Sequence, residues 1–398
     1  MGKGEGGRMQ KQVKKTQIME YLGELVLSQF EKRTPAPVPE GITLEMLEDI
    51  AKRGHMVYLI LGALLKLELP EEYANRFRGQ VKNSILQTLM QVVEARSLQQ
   101  KFEQAGIRNQ VLKGVILKQL YPTPEMREMS DIDFMLYEES FEKAEEILAK
   151  AGYGKLQEVK HHAVFLKQPN LILEAHWALY DKNVDKGQYQ YYKDNFRVVQ
   201  TPGTQYTYEF SKEDFYIYMI AHMAKHFYEN GCGIRNVADI YIYLKEYDSV
   251  LDKKYLNTEL QKLGLTKFEE HMRMLAEILL GKKEATEFYN QLFDYMVDCG
   301  IYGKGENGVW GQFVKDQAER GGSLKTWYYF PGIEYMKEHY PWLEKHTWLL
   351  PVAWVMRGIN GIMNKGKREK KQQVFSMEQE KVETLQNIYR SLQLNFRK

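Results

Sequence analysis

One run of alternating residues constrains this chain more than any other feature: Ser130-Asp131-Ile132-Asp133-Phe134-Met135-Leu136. On a strand, side chains two apart share a face. Asp131 and Asp133 then point one way, and Ile132, Phe134 and Leu136 the other. A fold that accepts this strand has to bury its apolar side and find a place for paired negative charge. Adjacent carboxylates repel, so they need water, a proton or a cation between them. A hard divalent ion such as Mg²⁺ suits oxygen ligands of this kind. The plainer account is an edge strand whose acids face solvent.

The pattern around this strand differs from both flanks. Residues 16–105 read as helical, with Ile18, Tyr21, Leu22, Leu25 and Val26 at helical spacing. Pro35, Pro37 and Pro39 interrupt that pattern as a linker would, and Thr43 with Glu45 and Met46 opens another helix. Val81, Ile85, Leu89 and Val92 mark the apolar side of a long helix, ended by Ala105-Gly106. From Gly106 the pattern predicts a strand at Asn109–Lys113, a turn at Gly114 and a short helix over Val115–Leu120. It then predicts a loop over 121–129, a strand over Ile132–Tyr137 and a helix over Glu138–Ala151. Ala163–Leu166 and Leu171–Trp177 read as the strands of a hairpin. After Ser211, which with Asp214 resembles a helix-start box, helix dominates again, over Phe215–Asn230 and Asn236–Tyr247. The expected organisation is a disordered, basic, Gly-rich start (1–15), an N-terminal helical region (16–105), a mixed core (106–210) and a C-terminal helical domain (211–398).

Composition removes several function classes. With 55 basic and 53 acidic residues the net charge is +2, which gives no whole-molecule argument for nucleic acid or membrane binding. Two cysteines, Cys232 and Cys299, do not make a disulfide framework, and with no signal-peptide pattern at the start we expect a cytoplasmic protein. The most apolar stretch, Leu349–Met363, is too short to span a bilayer and contains Arg357. Its alternative is a helix lying on a membrane surface. The basic run Lys365–Lys371 reads as a solvated linker, or more sharply as a site for a phosphate-rich partner. The aromatic residues between Trp327 and Trp354 read as core and packing surface, or as the lining of an acceptor cleft.

The context of the acids sharpens their meaning. Upstream, Leu112-Lys113-Gly114 is an apolar strand ending in glycine, where a phosphate can approach the backbone at a helix N-terminus. Downstream, Leu171-Ile172-Leu173-Glu174-Ala175-His176-Trp177 puts Glu174 and His176 on one face of another strand. A third carboxylate there completes a cation cage. These features resemble the polymerase-beta-like nucleotidyltransferase superfamily. More closely, VLKGVILKQLYP, REMSDIDFML, ILEAHW and HMAKH with GIRNVADIYIYL resemble a family of bacterial uncharacterised nucleotidyltransferases. The Lys-Gly and Arg-x-x-Ser-Asp-x-Asp wording is also similar to abortive-infection nucleotidyltransferase toxins. The resemblance covers about residues 105–245, and less closely the segment from Phe330 to Trp354.

The resemblance implies an α+β fold: a small mixed sheet flanked by helices, with helical N- and C-terminal additions. It implies transfer of a nucleoside monophosphate from an NTP to an acceptor, with Mg²⁺ or Mn²⁺ held by Asp131, Asp133 and Glu174. Glu174 also suits the base that takes the acceptor's proton. The acceptor is left open among a small-molecule hydroxyl, a protein side chain and an RNA end. Lys113 and Gly114 then meet the triphosphate, and Arg127 binds phosphate or pairs with Asp131. Ser130 orients Asp131 or the phosphates, or simply makes a turn. His176 is a ligand, a partner of a ligand, or a half-buried histidine. His222 and His226, four apart on one helical face, are structural or contact nucleotide or acceptor; zinc binding with Cys232 is the sharper alternative. Arg235 and Asp239 form an i,i+4 ion pair or the edge of the substrate pocket. The chain departs from the superfamily pattern at Val115, which follows Gly114 where Ser or Gly is usual, and in its long spacer to Asp131. Those departures support a second reading, a nucleotide-binding or regulatory module that keeps the fold with little catalysis.

Overall fold

The computed structural model describes residues 3–159, 161–182, 186–194, 198–303, 313, 324–363, 375 and 379–394, with backbone alone before Thr16. Four helices precede the sheet: α1 (Lys3–Phe30), α2 (Leu44–Gly54), α3 (Val57–Leu64) and α4 (Glu71–Gln104). The helix α1 begins at Lys3, well before the position the apolar spacing marks. Met9–Lys15 holds no Gly or Pro, and its Met, Gln and Lys residues favour helix. The prolines keep the following segment non-helical, and α2 opens where Thr43 Oγ1 accepts from the Met46 amide at 3.2 Å.

Among the described residues seven strands form one mixed sheet: β1 (Asn109–Val111), β2 (Ile132–Leu136), β3 (Gly154–Val159), β4 (His162–Lys167), β5 (Leu171–His176), β6 (Val198–Gln200) and β7 (Thr207–Phe210). Their order is β3-β4-β5-β2-β1-β7-β6. The β2–β5 and β1–β7 pairs are parallel and the others antiparallel. Between strands run α5 (Gly114–Lys118), α6 (Phe141–Lys150) and α7 (Lys186–Asp194). The alternation read from the sequence decides which face is buried. Ile132, Phe134, Leu136, Ala163, Phe165, Leu173 and Ala175 pack beneath α4 and α6, against Leu98, Phe102 and Leu148. Phe102 meets Phe134 edge to face at 5.4 Å. Burying each large side chain of this layer contributes about 1.5–3 kcal/mol. The opposite face is left for the acids.

Nine helices follow among the described residues: α8 (Lys212–Glu229), α9 (Arg235–Tyr247), α10 (Lys253–Lys262), α11 (Thr266–Leu279), α12 (Glu287–Cys299), α13 (Leu324–Tyr329), α14 (Ile333–His339), α15 (Leu350–Met363) and α16 (Gln379–Leu392). As the Ser211–Asp214 spacing indicates, the Ser211 hydroxyl accepts from the Asp214 amide at 3.0 Å and starts α8. The first and last helices share one core: Leu22, Leu25 and Val26 of α1 join Phe227, Ile240, Phe268, Phe293 and Ile388. The approach of α1 to α11 is backbone-close. A Cβ on Gly23 would lie 2.2 Å from the Leu279 carbonyl oxygen. Of the aromatic stretch, Trp327 is buried while Trp348 is 75% exposed, beside exposed Val352, Val355, Met356 and Ile359. No helix among the described residues is long and apolar enough to cross a membrane. The basic run 365–371 lies outside the described residues.

Candidate active site

Strand register builds the site. The parallel pairing of β2 with β5 sets Asp133 opposite Glu174 and Met135 opposite His176. The antiparallel pairing of β5 with β4 then sets His176 opposite His162. All of these side chains leave the same face of the sheet. Helices α8 and α9 stand over that face and enclose a cleft of about 330 Å³. Every residue singled out in the sequence lines it: Lys113, Gly114, Arg127, Ser130, Asp131, Asp133, Glu174, His176, His222, His226, Arg235 and Asp239.

The acids meet one another and a positive charge. Lys113 Nζ lies 3.3 Å from Asp133 Oδ1. His176 Nε2 lies 3.1 Å from Asp133 Oδ1 and 3.4 Å from Glu174 Oε2. Asp133, Glu174 and His176 each offer a donor atom within 4.8 Å of the others; Asp131, just before β2, is not part of that trio. Burial raises a carboxyl's pKa, but Lys113 and the His176 hydrogen bond outweigh it at Asp133, which is held well below the usual range. At Asp131 the attraction of Lys113 is too weak to prevail. Burial and the neighbouring Asp133 charge push that carboxyl up to about 7. Burial also works against ionised Glu174, and the hydrogen bond from His176 overcomes it, so its pKa is lowered. At His176 burial opposes the charged form, while hydrogen bonds to Asp133 and Glu174 win and raise its pKa.

The turn between β1 and α5 differs from the expected one in a telling way. The left-handed residue is Lys113, at φ 37° and ψ −100°, and not the glycine. Such a conformation is costly for a residue with a Cβ, and such strain clusters at functional sites. Gly114 is needed for space: a Cβ there would come within 2.9 Å of both Arg127 Nη1 and Met129 Sδ. The helix behind it, α5, is only five residues long. Val115 packs against the apolar layer under the sheet.

Arg127 does not pair with Asp131. Its Nε and Nη2 each lie 3.0 Å from the two carboxylate oxygens of Asp239, in a fork that Tyr121 completes by donating to Oδ1 at 2.9 Å. Both side chains are nearly fully buried. Asp239 is thereby taken, and the i,i+4 pair with Arg235 gives way to a hydrogen bond from Arg235 Nη1 to the Glu128 carbonyl at 2.7 Å. Arg235 Nε stays buried without a partner on the cleft wall. Ser130 touches His55 Nδ1 at 3.4 Å and accepts from the Tyr302 hydroxyl at 3.2 Å, so its neighbours come from both ends of the chain. His222 and His226 sit with Nε2 atoms 3.0 Å apart, and burial holds both pKa values down, that of His226 to about 3. The His226 ring is open to the cleft yet surrounded by protein. Among the described residues neither joins Cys232 in a metal-capable group.

Sequence reading passed over His161, His162 and Lys225, which also line the cleft. A signal for His162 existed. It opens the strand whose next alternate residues, Val164 and Leu166, share its face, and the hairpin register carries that face to Glu174 and His176. Lys225 had only its place beside His222 and His226.

A search of the curated proteins finds no match. Among solved structures, the solution structure of the antibiotic-resistance factor ANT(2'')-Ia is similar at 12% identity, over 52% of this chain and 91% of that one, with a TM-score of 0.22. A score so small leaves the assignment to the chain's own sequence and geometry. A family model described as "Uncharacterised nucleotidyltransferase" matches residues 42–281, which is 240 of the 398 residues and includes all twelve cleft residues singled out above. A strand pair that sets Asp133 against Glu174, under a match of that extent, leads to one conclusion: the chain belongs to the uncharacterised nucleotidyltransferase family.

Proposed function

We propose that this cleft moves a nucleoside monophosphate from an NTP to an acceptor and releases pyrophosphate, with a divalent cation held by Asp133 and Glu174 and assisted by Asp131. The observation that carries this reading is the direct register of Asp133 and Glu174 on neighbouring parallel strands, with Lys113 3.3 Å from Asp133. The donor set fits a hard dication such as Mg²⁺ or Mn²⁺, since two or three carboxylate oxygens converge where burial makes their uncompensated charge costly. Such an ion supplies positive charge to a triphosphate and an acceptor oxygen.

The chain's own groups do the positioning. Lys113 and Arg235 line the wall where phosphate oxygens would lie. His176 bridges Asp133 and Glu174 and fixes their orientation. Arg127 is committed to Asp239 and shapes the turn under Gly114, so we assign it to positioning. Helix α8 stands over the cleft and supplies part of its lining. The acceptor is a small-molecule hydroxyl, a protein side chain or an RNA end.

The test is incubation with Mg²⁺ or Mn²⁺ and each labelled NTP, with a cell-extract pool as acceptor. Pyrophosphate release that needs the dication and disappears in Asp133→Asn supports the transfer. Nucleotide binding with no turnover of any of the four NTPs would instead assign the cleft to a regulatory module.

A further inference from the structure

Beside the carboxylates, three imidazoles meet at the far side of the cleft. His161 precedes β4, His162 opens it and His176 ends β5, with His162 paired directly opposite His176. Ring centroids lie 4.7 Å apart for His161 and His162 and 4.8 Å apart for His162 and His176. One nitrogen from each ring can be chosen so that all three fall within 4.8 Å of one another. Glu174 Oε2 adjoins the cluster, 3.4 Å from His176 Nε2 and 3.7 Å from His162 Nε2.

Among the described residues, one nitrogen of each ring is left unsatisfied. The Nδ1 atoms of His161, His162 and His176 are all buried without a hydrogen-bond partner, and His176 is only 6% exposed. Buried polar atoms are nearly always paired, so three orphaned nitrogens in one cluster call for a specific cause. Packing alone does not supply one, because phenyl or aliphatic side chains would fill the space without that cost. An anion does not either, because Glu174 already brings negative charge to the spot.

We infer that His161, His162 and His176, with Glu174 as the adjoining carboxylate, form a site for a zinc-class transition-metal dication. Imidazole nitrogen with one carboxylate is a donor set that Zn²⁺ and Co²⁺ accept readily. Mg²⁺ prefers oxygen ligands and keeps its waters, so it is a poor occupant here. The site differs in chemistry from the oxygen-rich one proposed for the NTP cation, although the two share Glu174 and His176. It does not depend on NTP chemistry, and its test needs no substrate.

The experiment uses the full chain, stripped of metal with a chelator. Co²⁺ is titrated in while visible d–d absorption is followed, and Zn²⁺ is then added as competitor. We expect imidazole-type bands that saturate, that Zn²⁺ abolishes and that excess Mg²⁺ leaves in place. The His161→Ala/His162→Ala double variant is expected to bind at least about tenfold more weakly. His222→Ala, which breaks the other histidine pair, is expected to bind as the parent does. Far-UV circular dichroism checks folding; should the double variant not fold, His162→Gln takes its place. Absence of the bands, unchanged affinity in the His161/His162 variants, or loss of the bands in His222→Ala would each overturn the site.

Discussion

Asp131→Asn should stabilise the metal-free protein while removing a group the proposed chemistry needs. Burial and the adjacent Asp133 charge raise the Asp131 pKa from 3.8 to about 7. A native-state pKa above the unfolded one means that the folded protein holds the proton more tightly. The cost of ionising Asp131 is therefore absent below about pH 4, grows as pH rises to about 7, and is fully present above that. A rise of that size corresponds to a ceiling of about 4 kcal/mol. Asparagine keeps the shape and drops the charge, but Lys113 then loses one of its attractions. We expect a net gain of about 1–3 kcal/mol at pH 8, and a smaller gain at pH 5. Urea denaturation in the presence of a chelator, from pH 4 to 8, measures both. Saturating Mg²⁺ should close the gap, because a bound cation stabilises the wild-type carboxylates preferentially. A gap that is flat with pH, or that narrows toward pH 8, would refute the reasoning that Asp131 carries uncompensated charge.

Asp239→Asn leaves the buried Arg127 guanidinium without its charged partner and should cost about 3–5 kcal/mol, seen as a lowered Tm in calorimetry. If Asp239→Asn unfolds with a near-parental Tm, the fork is not structural. Gly114→Ala puts a Cβ within 2.9 Å of Arg127 and Met129, and should cost about 1–3 kcal/mol together with nucleotide affinity, read by thermal shift with and without NTP. Lys118 is fully buried, where its ammonium donates to Thr88 Oγ1 and the Arg127 carbonyl, and burial lowers its pKa to about 7. A base whose folded pKa is lowered carries its penalty below pH 7 and sheds it as pH rises toward 10.5. The stability of the wild type relative to Lys118→Met should therefore improve by a few kcal/mol, roughly, between pH 7 and 10, as measured by denaturant titration. A constant difference across that range would show that the folded Lys118 keeps its proton, and that burial does not lower its pKa.

How much of this was readable depended on whether the signal was local. The alternation of Asp131–Leu136 and of Leu171–Trp177 named two strands and their polar faces, because period two is written in neighbouring residues. The strand β3 was not seen. All six of its residues are exposed, so no buried side imposes an alternating pattern on Gly154–Val159. The pairing of Arg127 with Asp239 spans 112 positions and belongs to tertiary packing, whereas the i,i+4 spacing of Arg235 and Asp239 suggested a nearer partner that the fold does not use. The left-handed turn fell on Lys113 because Gly114 is occupied with admitting the Arg127 guanidinium, a demand invisible until Arg127 is placed. His162 became a cleft residue only once the β4–β5 register was known.

The shared interior of the first and last helices has a practical corollary. The matched stretch, 42–281, omits α1, α12 and α16, yet Leu22, Leu25, Val26, Phe293, Met296 and Ile388 lie at most 3% exposed within the same apolar mass as α8, α9 and α11. A polypeptide trimmed to the recognisable portion would carry an open wound where those side chains had been. Arg53 reinforces the bond between the ends, since its carbonyl accepts from the Ile301 amide and its guanidinium holds the carbonyls of Val297 and Asp298. Tyr302, which reaches Ser130 at the lip of the cleft, hangs from that same clasp. What sequence comparison recognises here is smaller than what must fold, and anyone cutting or fusing this protein should count the terminal helices as part of the enzyme.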